Sequence, residues 1–177
     1  MSEKTVMDLV EIEKTRGEIN ITGKPHGLHC EYYSVYWQKT IERAELVDGE
    51  TIIRDNAREA LFEELGDVFT EKDAEHFDER REYGEEFFRA IGYGKFHLPE
   101  KVDEGLEVTV ENSHFGQGWK KQWGEQEETK CTAIEGFLEG FLAAATVSPQ
   151  ESFEVREKQC IAQGADKCTF EVVEDGR

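Results

Sequence analysis

Glu157, Cys160 and Cys168 crowd into one short stretch, REKQCIAQGADKCTFEV (156–172), of a chain with four cysteines in 177 residues. Three chemistries suit that spacing: a disulfide between Cys160 and Cys168, two thiols in an apolar core, or half of a metal site. The sequences ESFEVREKQC and CTFEVVED both alternate apolar with polar residues and are joined by IAQGADK, so they read as an antiparallel hairpin that brings the two cysteines together. Cys131 opens the preceding helical segment, and a helix packed on the hairpin would carry its first turn to the same corner. Three thiolates and a carboxylate make a tetrahedral set suited to zinc, with Zn–S near about 2.3 Å. Small buried cysteines are also ordinary core residues, and spacing alone leaves both readings standing.

Two further groups contain side chains that bind ligands elsewhere. KPHGLHCEYYSVYW places His26, His29, Cys30, Tyr32, Tyr33, Tyr36 and Trp37 close together, and His114, Trp119 and Trp123 follow a strand. His26, His29 and Cys30 are candidates for a second metal. His29, Cys30, Tyr36, Trp37, His114, Trp119 and Trp123 are candidates for a ligand cavity, against the plainer reading of loop and core packing.

These residues need elements to position them. GEINITG (17–23) alternates as a short strand. Residues 32–46 place Val35, Trp37, Ile41 and Ala44 at helical spacing. A second helix takes Asp55 or Asn56 as its cap, Ala57, Ala60, Leu61 and Leu65 as its apolar face, and Gly66 as its stop. A third turns Phe77, Tyr83 or Gly84, Phe87, Phe88 and Ile91 inward and ends at Gly92. Residues 105–113 alternate as a half-buried strand. Residues 131–147 form an apolar helix with Ile134, Leu138, Phe141 and Leu142 inward, and with Gly136 and Gly140 spaced for close backbone packing. The expected class is α+β, with helices covering one antiparallel sheet. Residues 1–177 read as a single domain, with a helix-rich half over 1–104 and a second half over 105–173 that carries the cysteines.

Composition narrows the function. The formal net charge of −19, from 40 acidic and 21 basic residues, repels phosphates and anionic lipid, so nucleic acid and membrane are not expected partners. No run approaches the roughly 18 apolar residues of a membrane span. The opening residues lack the pattern of a signal peptide, so the expected compartment is the cytoplasm, where thiols stay reduced. No phosphate loop, dinucleotide fingerprint, nucleophile elbow or His-Glu-x-x-His is found, and an enzyme is not the favoured reading.

The stretch CTAIEGFLEGFLAAATVSPQESFEVREKQCIAQGADKCTFEV resembles the C-terminal part of the 4-vinyl reductase domain family. That family shows a Cys opening a helix with two glycines four apart, then Glu-x-x-Cys, a Gly-containing turn and Cys-x-Phe. VENSHFGQGW (110–119) is similar to the segment before that helix, so the match spans about 105 to 173. The resemblance implies zinc held by Cys131, Glu157, Cys160 and Cys168, although the gap between Cys131 and Glu157 is a few residues longer than in the aromatic-sensing members. It also implies a sheet and helices enclosing a ligand cavity, as in nitric-oxide-signalling and Golgi-transport domains, a small hydrophobic ligand and a homodimer. The Trp that holds phenol in those sensors falls at Val110 here, and no His stands at the matching upstream place, so phenol itself is not implied.

Four thiolate and carboxylate ligands would close the zinc shell, so the metal is read as structural, with no catalytic residue assigned. The expected function is a zinc-stabilised sensor or carrier of a small hydrophobic molecule, without its own output domain. The alternatives are a subunit in tetrapyrrole or cofactor metabolism, and a protein-interaction scaffold.

Overall fold

The computed structural model describes residues 10–21, 23–45, 47–71, 74–101 and 106–174. The chain opens with a three-stranded antiparallel meander, β1 (Val10–Glu13), β2 (Glu18–Ile21) and β3 (Lys24–His26). Its first turn carries Gly17 at φ 69° and its second Gly23 at φ 84°, left-handed positions that favour glycine. Three helices follow: α1 (Glu31–Glu42), α2 (Gly49–Glu71) and α3 (Phe77–Ala90). A second sheet is then built from β4 (Lys95–His97), β5 (Leu106–Glu111), β6 (Phe153–Gln159) and β7 (Cys168–Glu174), in the order β4-β5-β7-β6, every neighbouring pair antiparallel. Between β5 and β6 run α4 (His114–Trp123) and α5 (Thr132–Thr146). The expected α+β class is found, but with two sheets where one was anticipated. The meander's strands are only three or four residues long, too short for alternation to mark all of them.

The second sheet has one apolar face. Val108 and Val110 on β5, Phe153 and Val155 on β6, and Cys168, Phe170 and Val172 on β7 are all buried, at alternate positions along each strand. The helix α5 lies on that face through Ile134, Leu138, Phe141 and Leu142, none of which keeps any exposed surface. Each such side chain contributes about 1.5–3 kcal/mol by leaving water. The interior is filled by aromatic rings: Phe88 stacks on Phe96 with centroids 4.0 Å apart, and Phe141 meets Phe88 edge-on at 6.3 Å. A Cβ on Gly84 would strike the Phe141 ring, so the glycine makes room for it. Val110, at the place of the phenol-binding Trp in the resemblance, is part of this packed interior.

The long helix α2 packs along α5, joining the two halves of the chain in one core. Gly136 and Gly140 permit it, because a Cβ at either would strike a backbone carbonyl oxygen of α2, that of Arg54 or Arg58. The sequence expectation placed the start of this helix at Asp55 or Asn56 and its end at Gly66. It begins instead behind Asp48, whose Oδ1 accepts the backbone N–H of Thr51 at 3.1 Å. It continues past Gly66 because Val68 and Phe69 keep the apolar face going. On α1 only Val35 and Gln38 are buried; of the residues placed at helical spacing Trp37 is exposed, and Ala44 lies past the end of the helix and is exposed. The third helix turns Gly84, Phe87 and Phe88 inward as its spacing predicts. No helix among the described residues is long and apolar enough to cross a membrane.

Candidate metal centre

The β6–β7 hairpin forms, with Glu157 opposite Phe170 and an irregularity between Glu157 and Gln159 that bends the strand before Cys160. Cys160 then caps a single 3-10 turn, Ile161–Gln163, closed by Gly164 at φ 96°. Cys168 opens β7, and Cys131 precedes the first residue of α5. One ligand atom from each of Cys131, Glu157, Cys160 and Cys168 lies within 4.8 Å of the others, and all four residues are buried.

The sulfurs are 3.7 Å apart for Cys131–Cys160, 3.7 Å for Cys131–Cys168 and 3.9 Å for Cys160–Cys168. All four cysteines are free thiols, and these separations far exceed the about 2.0 Å of a disulfide. They match the edges, about 3.8 Å, of a tetrahedron drawn around a zinc ion with sulfur ligands at about 2.3 Å. Glu157 supplies a second observation. Its Oε2 accepts the backbone N–H of Cys131 at 2.9 Å and of Lys130 at 3.1 Å, whereas Oε1 is buried without a hydrogen-bond partner. A buried carboxylate oxygen left in that state is costly unless a cation takes it.

Electrostatics agree. Burial, followed by the neighbouring Cys160, pushes Glu157 up to about 9. Burial also drives the Cys131 thiol well above the ordinary range, with the Cys160 and Cys168 sulfurs adding to it. Cys160 moves the other way, because the sulfurs of Cys131 and Cys168 and the backbone N–H of Ala162 favour its thiolate. Four acidic groups enclosed together cannot all ionise unless a cation balances them. The surroundings prepare such a set: Ile161 N–H donates to Cys168 Sγ at 3.3 Å and Ala162 N–H to Cys160 Sγ at 3.4 Å. Ser113, the N-cap of α4, sits 3.4 Å from Cys131 Sγ through its hydroxyl, and Gly116 leaves space for Cys168 Sγ.

Behind the ligands lies a network that sequence reading missed. Glu135 and Glu139 on α5 are buried, and Arg54 and Arg58 of α2 pair with them. Glu135 Oε1 accepts the backbone N–H of Glu157 at 2.7 Å, so a helix carboxylate positions the carboxylate ligand's own strand. The available signal was two pairs at four-residue spacing, Arg54/Arg58 and Glu135/Glu139, one on each helix. On the far side, Gln38 of α1 donates to the Lys130 carbonyl at 3.0 Å, one residue before Cys131.

The other candidate residues do not converge on one cavity. Trp119 is core, Trp123 is half-buried against it at 4.5 Å, and Tyr36 meets Trp123 edge-on at 5.2 Å. His29 stacks on Tyr33 at 4.4 Å, with Trp37 beyond, and Cys30 is exposed before α1. His114 bonds through Nε2 to the Ser34 hydroxyl at 3.0 Å, and burial lowers its pKa. His26, His29 and Cys30 do not assemble as a ligand set: His26 Nδ1 lies 2.9 Å from the Lys24 carbonyl, its ring against Phe87.

No family model matches the chain. It is 23% identical over 175 residues to the uncharacterised protein MJ1460 of Methanocaldococcus jannaschii, covering 97% of this chain and 94% of that one. Among solved structures it is similar to the phenol-responsive sensory domain of the transcription activator PoxR with phenol, at TM-score 0.79 and 14% identity, covering 96% of this chain and 86% of that one. It is also similar to a vinyl-4-reductase family protein from Methanocaldococcus jannaschii, at TM-score 0.53 and 19% identity, covering 80% and 76%. A third match is the trafficking protein particle complex subunit 3 from Naegleria fowleri covalently bound to palmitic acid, at TM-score 0.50 and 14% identity, covering 81% and 90%. The chain thus has the fold of a vinyl-4-reductase family protein and of a phenol sensory domain, which supports at the level of architecture the resemblance to the 4-vinyl reductase domain family.

Proposed function

We propose that this chain is a zinc-stabilised module that binds a small hydrophobic molecule, a sensor or carrier of the 4-vinyl reductase family. The observation that carries the reading is the buried cluster of Cys131, Glu157, Cys160 and Cys168. With all four coordinated, zinc has no open position for water, so its task is to fasten α5 to the β6–β7 hairpin.

Two similar structures hold apolar molecules, phenol in one and palmitic acid in another, which supports that ligand class here. The aromatic interior described above leaves the site to a lateral cleft of about 460 Å³ between α2, the start of α3 and the end of α5. Phe62, Phe69, Ala143 and Ala144 line it with apolar surface, and Arg80 and Thr70 stand at its edge. An apolar cleft with few polar groups is the usual form of a small-molecule site.

A second reading, a scaffold or homodimer, is favoured by the exposed Leu28, Tyr33 and Trp37 on and before α1. Native mass spectrometry with metal analysis tests both. One zinc per chain, lost in Cys160→Ser, and a co-purifying apolar molecule support the first reading. A metal-free chain of full stability sinks it, and a dimer abolished by Trp37→Glu supports the second.

A further inference from the structure

A second cleft, of about 360 Å³, lies between α1 and the end of α4, lined by Tyr36, Lys39, Thr40, Arg43 and Trp123. Its walls are fixed. The Tyr36 hydroxyl accepts from Gln122 Nε2 at 2.7 Å, its ring meets Trp123 edge-on, and Trp123 leans on the buried Trp119. Lys39 Nζ hangs 3.6 Å over the Trp123 ring and 5.2 Å from that of Trp119.

The charge here runs against the rest of the molecule. In a chain of net −19, Lys39 and Arg43 stand one helical turn apart, and neither side chain has an ion pair or hydrogen bond among the described residues. Glu42, the acid whose charge reaches Lys39, accepts from Gln38 Nε2 at 2.6 Å and makes no ion pair with that lysine. Burial lowers the Lys39 pKa, with Arg43 and Lys130 adding to that effect and Glu42 opposing it. Two neighbouring lysines are already engaged, Lys121 with Glu31 at 2.9 Å and Lys130 with Glu128 at 3.3 Å.

We propose that this cleft binds a small organic acid, its carboxylate held between Lys39 Nζ and the Arg43 guanidinium and its apolar body laid against Tyr36 and Trp123. A planar guanidinium fits a carboxylate with two parallel hydrogen bonds, and the ammonium adds a point charge. The aromatic walls select an acid with a ring or short chain over inorganic phosphate, and the cleft's volume suits one small molecule. Two cations are too few to hold a nucleic-acid backbone against the surrounding field. The site is distinct from the metal cluster and from the lateral cleft of the proposed function, and stands if either of those readings fails.

The three tryptophans, Trp37, Trp119 and Trp123, all lie on α1 and α4, so intrinsic fluorescence of the metal-loaded chain reports on this cleft. Benzoate is the probe, with benzamide as its uncharged counterpart and inorganic phosphate as the bare anion. The proposal expects a saturable response to benzoate, weakened on the order of tenfold for benzamide and by Arg43→Gln or Lys39→Gln. Added sodium chloride weakens it further. Both substituted residues are at the surface, and circular dichroism confirms that the variants are folded. Equal binding of benzoate and benzamide, equal binding of phosphate, no saturable response to benzoate, or binding unchanged in folded Arg43→Gln would each overturn the proposal.

Discussion

Glu139 on α5 accepts the backbone N–H of Val155 on β6 at 3.0 Å. Two residues along, Glu135 does the same for Glu157, so helix carboxylates close the outer edge of the second sheet where another strand would otherwise pair. Each carboxylate is also gripped from α2, Glu135 by Arg54 and Glu139 by Arg58 at 3.5 Å. Helix, helix and sheet thus meet in one buried polar network.

Removing Glu139 should therefore cost more than a surface ion pair. Glu139→Ala strands the buried Val155 N–H and leaves Arg58 with Asp55 alone, and the expected loss is about 1–3 kcal/mol in urea unfolding. Glu139→Gln keeps an acceptor for Val155 and should lose less. Equal losses in the two variants would show that the charge, and not the strand-edge hydrogen bond, governs the site.

Metal binding must displace protons, because Glu157 is pushed up to about 9 and Cys131 above the ordinary thiol range. Apparent zinc affinity, measured by competition with a chromophoric chelator, should rise steadily as pH increases from 6 to 8. The metal-free chain shows the opposite trend in stability. A carboxyl whose folded pKa stands above the unfolded value of about 4.3 contributes fully below that value and loses its contribution as pH climbs toward 9. Cys160 acts in the opposite sense, because its folded thiolate is favoured, and offsets Glu157 over this range; the net loss of stability with rising pH rests on Glu135 and Glu139, both raised chiefly by burial. Chelator-treated protein should unfold at modestly lower urea at pH 8 than at pH 5, and Glu139→Gln should flatten the difference. A metal-free midpoint that rises over that range would mean that the Cys160 thiolate outweighs the buried carboxyls.

Two glycines in helices should respond with opposite signs. Gly140→Ala drives a methyl into the Arg58 carbonyl of α2, forcing the helices apart at a cost of about 1–3 kcal/mol. Gly66→Ala meets nothing within 4 Å and should gain up to about 1 kcal/mol from helix propensity alone. Thermal denaturation of the pair separates close packing from propensity.

Val147 ends α5 in the left-handed region, at φ 57° and ψ 39°, with its side chain exposed on the rim of the lateral cleft. A β-branched residue is strained there. Val147→Gly should raise stability by about 0.5–1 kcal/mol, after the entropy glycine adds to the unfolded chain. If the same change weakens binding of an apolar ligand, the strain serves the cleft.

Much of this centre could be read from sequence because thiols are scarce and their spacing is local: Cys160, Cys168 and Glu157 belong to one hairpin, and alternation marks that hairpin plainly. The helix α5 was equally legible, its apolar positions recurring at helical spacing and its glycines four apart. Glu135 and Glu139 were not, because an acidic residue on a helix reads as solvated until its distant partners are known, and Arg54 is 81 residues from Glu135. The start of α2 was missed for a related reason: Asp48 caps it through a local hydrogen bond, whereas Asp55 and Asn56, equally apt as caps, lie inside the helix. The three-residue strands β3 and β4 exist through pairing with their neighbours and carry almost no pattern of their own.

The packing of α2 along α5 has a consequence for the order in which the molecule is made. A ribosome releases α2 long before α5, so the face that will receive Gly136 and Gly140 emerges with its partner still unsynthesised. Of the candidate ligands Cys131 precedes that helix, whereas Glu157, Cys160 and Cys168 follow it. The candidate centre can therefore close only once α5 and the β6–β7 hairpin have both been made, and until α5 emerges the apolar face of α2 waits unmated.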